Sequence, residues 1–303
     1  MKNRFFLRAK RELPLHIMIL PSVIFLLIFS YIPMVGIIIA FQKFNPARGL
    51  FGGNPWVGLD NFNFIFSIPT IGTVFYNTLI IAIAKIVLGT AISIVVALLL
   101  NECRAILFKR TVQTIIYFPY FISWIILAGI LTDILSPTDG IVNKILITIG
   151  FDPIYFLGDN QYFQGTLIVS DVWRNFGYNS VIYLAAITSI DMALYEAAAI
   201  DGANRWKQTL HITLPGMSMI IILMIILNMG NLLNAGFDQV FNLYSDGVYK
   251  TGDIIDTMVY RLGLEQAKFA PSTAVGLLKS VISLILISSS YFIAYKKFDY
   301  KIF

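Results

Sequence analysis

The chain has 303 residues, 57% of them hydrophobic and only 13% charged, whereas soluble globular domains carry about 25% charged residues; this excludes a water-soluble globular fold and directs most of the chain towards lipid or other apolar helices. The net charge of +5 does not indicate a nucleic-acid partner, because the basic residues flank apolar runs instead of forming one solvated face. The single cysteine, Cys103, excludes an intrachain disulfide, and no period of about 20–50 residues repeats along the chain.

A helix that crosses a bilayer needs about 20 mostly apolar residues. Six runs qualify, at roughly 15–41, 71–100, 112–135, 163–190, 212–233 and 273–295. The first is too long for a signal-peptide core and lacks a small-residue cleavage site, so it reads as a membrane helix. After it comes a loop, 42–70, with Pro46, Gly52, Gly53 and Pro55, and then "WVGLDNFNFIF" at 56–66. There Leu59, Phe62, Ile65 and Phe66 fall at helical spacing, which predicts a short helix lying at the membrane surface or against the bundle. The second run carries Lys85, whose charge at membrane depth predicts an ion pair with Asp133 or Asp171. In the fourth, Asp171, Asn175, Tyr178, Asn179 and Ile182 share one helical face, with Trp173 and Arg174 beside it. In the fifth, Asn228, Asn231 and Asn234 recur every third residue. Lipid offers these amides no partner, so they are expected to point inward. Lys279 in the last run is expected to snorkel to the outer interface. His16 and His211 stand apart from any cluster with metal-site or catalytic spacing.

The fourth and fifth runs are joined by "EAAAIDGANRW" (196–206). Asp191 is an expected N-cap for a helix through about Ile200. Gly202 can take a backbone conformation closed to other residues and turn the chain sharply. A second short helix is expected from Asn204 towards His211, with Pro215 near the start of the next span. Ala197, Ala198, Ala199, Gly202 and Ala203 leave little side-chain bulk, so another protein's backbone can approach closely, and Glu196, Asp201 and Arg205 supply fixed charges around that surface. Orientation follows from Lys and Arg. Thirteen lie in the N-terminal tail, the 101–111 connection, the 191–211 connection and the C-terminal tail, against six in the other loops. This predicts cytoplasmic termini and a cytoplasmic 196–206 segment.

The string E-A-A-x-x-D-G-A at 196–203, followed by I-x-L-P at Ile212, Leu214 and Pro215, resembles the cytoplasmic EAA loop of binding-protein-dependent ABC importer permeases. It departs from that family at Thr209, where Phe is frequent, and in lacking a second Pro shortly after Pro215. Further stretches resemble the carbohydrate-transporting branch: "LPSVIFLLIFSYIPMVGIIIAF" (20–41), "WVGLDNF" (56–62), "NTL" (77–79) and "YFP" (117–119). "GDIIDTMVYRLGLEQAKFAPSTAVGLLKS" (252–280) resembles permeases serving oligosaccharides released from complex polysaccharides.

The resemblance implies an all-α integral membrane protein with six transmembrane helices and the type I importer permease (MetI-like) fold, as one domain over 1–303. It implies that the 191–213 segment couples to an ATPase subunit through Glu196, Ala197, Ala198, Asp201, Gly202, Ala203 and Arg205. The expected partners are a homologous second permease subunit, two ATPase subunits, an extracytoplasmic solute-binding protein and membrane lipid. No cofactor is expected in this chain. It has no G-x-x-x-x-G-K-[ST] motif, so it is expected not to be an enzyme, with ATP and Mg on the partner subunits. The expected location is the bacterial cell membrane, multi-pass. Sugars take amide and carboxylate contacts and an aromatic face, so Asp171, Asn175, Tyr178, Asn179, Asn228 and Asn231 form a candidate substrate pathway. The same residues serve equally as interhelical glue. The alternative function, an ion-coupled secondary transporter, predicts inverted repeats and acidic residues lining interrupted helices. An intramembrane enzyme predicts a nucleophile–base or metal constellation at depth.

Overall fold

The computed structural model describes residues 2–298, which are helical with no strand beyond an isolated bridge between Gln42 and Trp56. The chain divides into two compact units, residues 1–68 with 261–277, and residues 69–260 with 278–303. In the first unit, α1 (Lys2–Leu26) continues through a π turn (Leu27–Tyr31) and a short helical turn into a 3₁₀ stretch (Val35–Phe41). The π turn directly precedes Pro33, which has no N–H to return to the turn before it. Glu12–Phe41 is 30 residues of apolar helix, long enough to cross a bilayer. Its side chains stand outward: Met18 is 75% and Phe29 63% exposed.

The loop after it is organised by Asn61, whose amide donates to the carbonyls of Ala40 (2.9 Å) and Gln42 (3.0 Å). Phe41 stacks on Trp56 with centroids 5.5 Å apart. The expected short helix is α2 (Asp60–Phe66); it buries Phe62 and Ile65 and leaves Leu59 and Phe66 exposed. The apolar spacing there therefore marks a helix held by two residues of the four.

In the second unit the helices are α3 (Ile71–Glu102), α4 (Ile106–Tyr117), α5 (Trp124–Ile134), α6 (Ile141–Thr148), α7 (Asn160–Thr188), α8 (Met192–Ile200), α9 (Arg205–Gln208), α10 (Ser218–Gly230), α11 (Phe237–Leu243) and α12 (Ile255–Tyr260). The last helix, α13 (Phe269–Phe298), belongs to this unit from residue 278 on. Among the described residues three helices are individually long and apolar enough to span a membrane, and three bent pairs raise the number to six when each pair is one span. The run expected as one helix over 112–135 is broken: α4 and α5 meet at 102°. Pro119 sits in the 3₁₀ turn that ends α4, and Ser123 caps α5 by accepting from Ile126 N–H. The run over 212–233 is likewise bent, by 55° next to Met217.

The core of this unit is the α3–α7 contact. Ile81, Phe163, Leu167, Val240 and Ile254 form one cluster; Ala97, Tyr183, Ile187 and Met217 form another. At Gly177 the backbones of α7 and α4 nearly touch, since a Cβ there would lie 2.0 Å from the Ile116 carbonyl oxygen. Buried amides tie the start of α3, the start of α7 and the 250–253 segment together. Asn77 donates to the carbonyls of Lys250 and Asp253, and Gln164 donates to Asn77 and to Thr251 O. Fully buried Asn143 fixes the 135–154 loop by donating to Ser136 and Ile154 carbonyls (both 3.0 Å) and accepting from Ile154 N–H at 2.7 Å. Lys279, expected to snorkel, pairs with Asp256 at 2.5 Å.

Candidate functional site

Two features of the second unit gather the residues expected to function, and α7 and α10 run between them. The first is the segment 191–213. Asp191 caps α8, its Oδ1 accepting from Ala193 N–H at 2.9 Å. The helix closes with Ala203 N–H donating to Ala198 O (2.8 Å) and Gly202 N–H to Ala199 O (3.1 Å). That pattern requires a left-handed residue between them, and Gly202 supplies it at φ +76°. Nothing lies within 4 Å of where its Cβ would stand, so the conformation, not crowding, demands glycine. Asn204 then caps α9, and the helix expected towards His211 runs on from α9 through a π turn (Thr209–Thr213) to Gly216.

Glu196, Ala197, Asp201, Gly202 and Arg205 are exposed, and Ala198 and Ala203 half-buried. Arg205 pairs with Glu102 at the end of α3 (3.0 Å), and the hydroxyls of Tyr195 and Thr213 meet at 2.9 Å. The most exposed apolar side chains here are Ile200 (88%) and Trp206 (69%). Their spacing gave no signal in the sequence, because it matches neither face of one continuous helix.

The second feature is a cavity of about 220 Å³ between α3, α7 and the end of α10. Asp171, Asn175, Asn179, Asn228 and Asn231, all expected on the pathway, line it together, with Asn234, Thr90 and Lys85. Tyr178 does not join them. It stacks on Tyr120 at 3.9 Å and 5°, because the 3₁₀ turn between α4 and α5 brings Tyr120 against that side of α7. Arg174 lies on the same aromatic wall, over Tyr120 (5.5 Å) and Trp124 (5.1 Å), and donates to Ile122 O at 2.9 and 3.1 Å. It also donates to Asn175 Oδ1 at 3.3 Å.

Lys85 settles the choice between two acidic partners: Asp171 is 3.6 Å away. It also donates to Ala235 O at 2.7 Å and to the Gln239 amide oxygen. Gln239, fully buried, passes its own N–H groups to Leu167 O (2.7 Å) and Ser170 Oγ (2.9 Å). This node pins the break after α10, where Gly236 takes φ +94°, to α3 and α7. Gln239 was not anticipated. The sequence carries no signal for it, since Gln239 stands in α11 (FDQVFNL) beside Asp238 and near Asn242.

The helical bundle, the capped α8–α9 knob and the amide-lined cavity define a polytopic membrane transport component. Residues 89–302 match the family described as "Binding-protein-dependent transport system inner membrane component", and the chain belongs to it. It is 40% identical to the polygalacturonan/rhamnogalacturonan transport system permease protein YteP of Bacillus subtilis, over 94% of this chain and 89% of that one. It is 38% identical to the protein LplB of the same organism, over 96% and 91%. Among solved structures it resembles a chain of a bacterial ABC transporter that imports the acidic polysaccharide alginate, with TM-score 0.90 and 36% identity over 97% of this chain and 99% of that one. A second structure shows that alginate transporter with an alginate pentasaccharide-bound periplasmic protein (TM-score 0.89, 36% identity, 97% and 98% covered). The chain is thus a permease subunit of a binding-protein-dependent importer.

Proposed function

We propose that this permease moves an oligosaccharide into the cytoplasm by ATP-driven alternating access. The relatives that transport plant-polysaccharide fragments and alginate support a carbohydrate cargo. The observation that carries the mechanism is mechanical continuity. α7 bears Asp171, Asn175 and Asn179 and leads through Asp191 into α8; α9 leads through the π turn into α10, which bears Asn228. A force on the α8–α9 knob is therefore delivered to both polar walls of the cavity. Only a change in those walls gives the sugar different affinities in inward- and outward-open states, which is what releases cargo.

In this reading the exposed knob, with Glu196, Ala197, Ala198, Asp201, Gly202, Ala203 and Arg205, seats on an ATPase subunit, and Ile200 and Trp206 add apolar contact. ATP and Mg bind two such ATPase subunits, and this chain hydrolyses nothing. A homologous second permease completes the pathway, a solute-binding protein delivers the sugar from outside, and both termini lie in the cytoplasm. The test is oligosaccharide uptake by cells expressing the whole importer, with and without its ATPase subunits. Loss of uptake on their deletion supports the reading. Uptake that persists and follows an ion gradient would establish the ion-coupled alternative.

A further inference from the structure

Asp171 and Arg174 are the only charged residues of the 29-residue helix α7. Asp171 has a counter-charge in Lys85, 3.6 Å away. Arg174 has none: no carboxylate of the described residues lies within 4.0 Å of it. It stands at the middle of the helix and is half-buried. A cation at membrane depth is costly and faces a bundle interior or a water-filled path. The surroundings of Arg174 hold it in place without cancelling its charge. Tyr120 and Trp124 lie against the guanidinium, Nε and Nη2 donate to Ile122 O, and Nη1 donates to Asn175 Oδ1 at 3.3 Å. A guanidinium has five N–H groups, so these three bonds leave one N–H on each terminal nitrogen. Asn175 itself lines the cavity, so the guanidinium borders it. Tyr178, 41% exposed and stacked on Tyr120, stands on the same wall.

Resting on the oligosaccharide reading above, we infer that Arg174 is a specificity-determining residue that receives the carboxylate of an acidic sugar unit as it passes the cavity. One free N–H on each terminal nitrogen suits the two oxygens of a carboxylate, the planar pairing that a guanidinium makes best. In a partly desolvated site the attraction is several times stronger than in water. A neutral sugar offers only hydroxyls there, and bonds between one charged and one neutral group are weaker than a full ion pair. The exposed ring of Tyr178 supplies an apolar face for the C–H groups of the same sugar. The bonds to Ile122 O fix the plane of the guanidinium at the break between α4 and α5, so the receptor is built before the sugar arrives.

The test uses the whole importer in proteoliposomes. The probes are an oligogalacturonate and its methyl ester, equal in length and differing in charge. Every variant is served by the same binding protein, so the preference of that protein cancels when the ratio of acid to ester uptake is compared between variants. Arg174→Gln removes the charge and should lower this ratio about tenfold, the loss of a hydrogen-bonded contact between charged groups. Arg174→Lys keeps the charge without the planar fork and should lower it about threefold. The inference is overturned if Arg174→Gln depresses acid and ester uptake equally, as a clamp on the α4–α5 break would, or leaves the ratio unchanged. Should Arg174→Gln fail to assemble, an unchanged ratio in Arg174→Lys overturns it equally. A wild type that carries the ester or neutral hexose oligosaccharides but not the acid overturns the inference and leaves the oligosaccharide reading standing. A wild type that carries no oligosaccharide refutes that reading itself.

Discussion

Replacing Lys85 by Met keeps the length of the stem and removes the ammonium. The Ala235 carbonyl and the Gln239 amide oxygen each lose the donor they hold now. Gln239 cannot turn to water, because its N–H groups are committed to Leu167 O and Ser170 Oγ. A buried acceptor left unpaired costs about 1–3 kcal/mol, so the two together cost about 2–6 kcal/mol. Asp171 adds less, since at 21% exposure it can hydrate on the cavity side. The measurement is chemical or thermal unfolding of the purified complex in one detergent, comparing Lys85→Met, Asp171→Asn and the double variant. The double variant should be less destabilised than the sum of the singles by at least about 0.5 kcal/mol, the coupling expected of residues in contact. Stability of Lys85→Met within about 0.5 kcal/mol of wild type would refute the reasoning, and would mean that the break after α10 is held by packing alone.

Gly177→Ala puts a methyl 2.0 Å from the Ile116 carbonyl oxygen, and both partners are backbone, so α4 must move away from α7; a loss of about 1–3 kcal/mol should appear in the same unfolding assay. Gly202→Ala should cost about 1–2 kcal/mol locally for the left-handed turn and leave the chain membrane-inserted, whereas Gly202→Asp should in addition lower ATPase co-purification and uptake; equal behaviour of the two variants would show that docking does not read this surface. Asn228→Ala and Asn231→Ala should slow oligosaccharide uptake severalfold, about one hydrogen bond each, while binding-protein-stimulated ATP hydrolysis persists. If uptake, ATP hydrolysis and melting temperature fall together, these asparagines bind neighbouring helices instead.

The local structure of the 191–213 segment was legible almost residue by residue. Asp191 as a cap and Gly202 as a left-handed turn are local devices, set by hydrogen bonds within a few residues, and local spacing reports them directly. The inward amides were also legible, since an asparagine at membrane depth has few places to go, and Asp171, Asn175, Asn179, Asn228 and Asn231 do meet at one cavity. Tyr178 was not: an aromatic side chain satisfies itself on whichever ring is nearest, and Tyr120 reaches it only because the chain bends 102° between α4 and α5. Pro119 and Ser123 announce a break there, but not its angle. Lys279 likewise found Asp256, 23 positions earlier, a pairing that snorkelling arguments do not foresee.

By itself, then, the sequence determined how much of this chain is apolar helix, where the helices stop, and which short segment stands out as a small-residue knob, because composition, caps and glycine conformations act over a few residues. Tertiary structure alone decided which polar groups share a cavity and which are spent on other contacts. Lys85 lies 86 positions before Asp171 and 154 before Gln239. No local pattern joins them; only the packing of α3 against α7 and the turn at Gly236 brings the three together, the ammonium bonded to Ala235 O and Gln239 and paired with Asp171 at 3.6 Å.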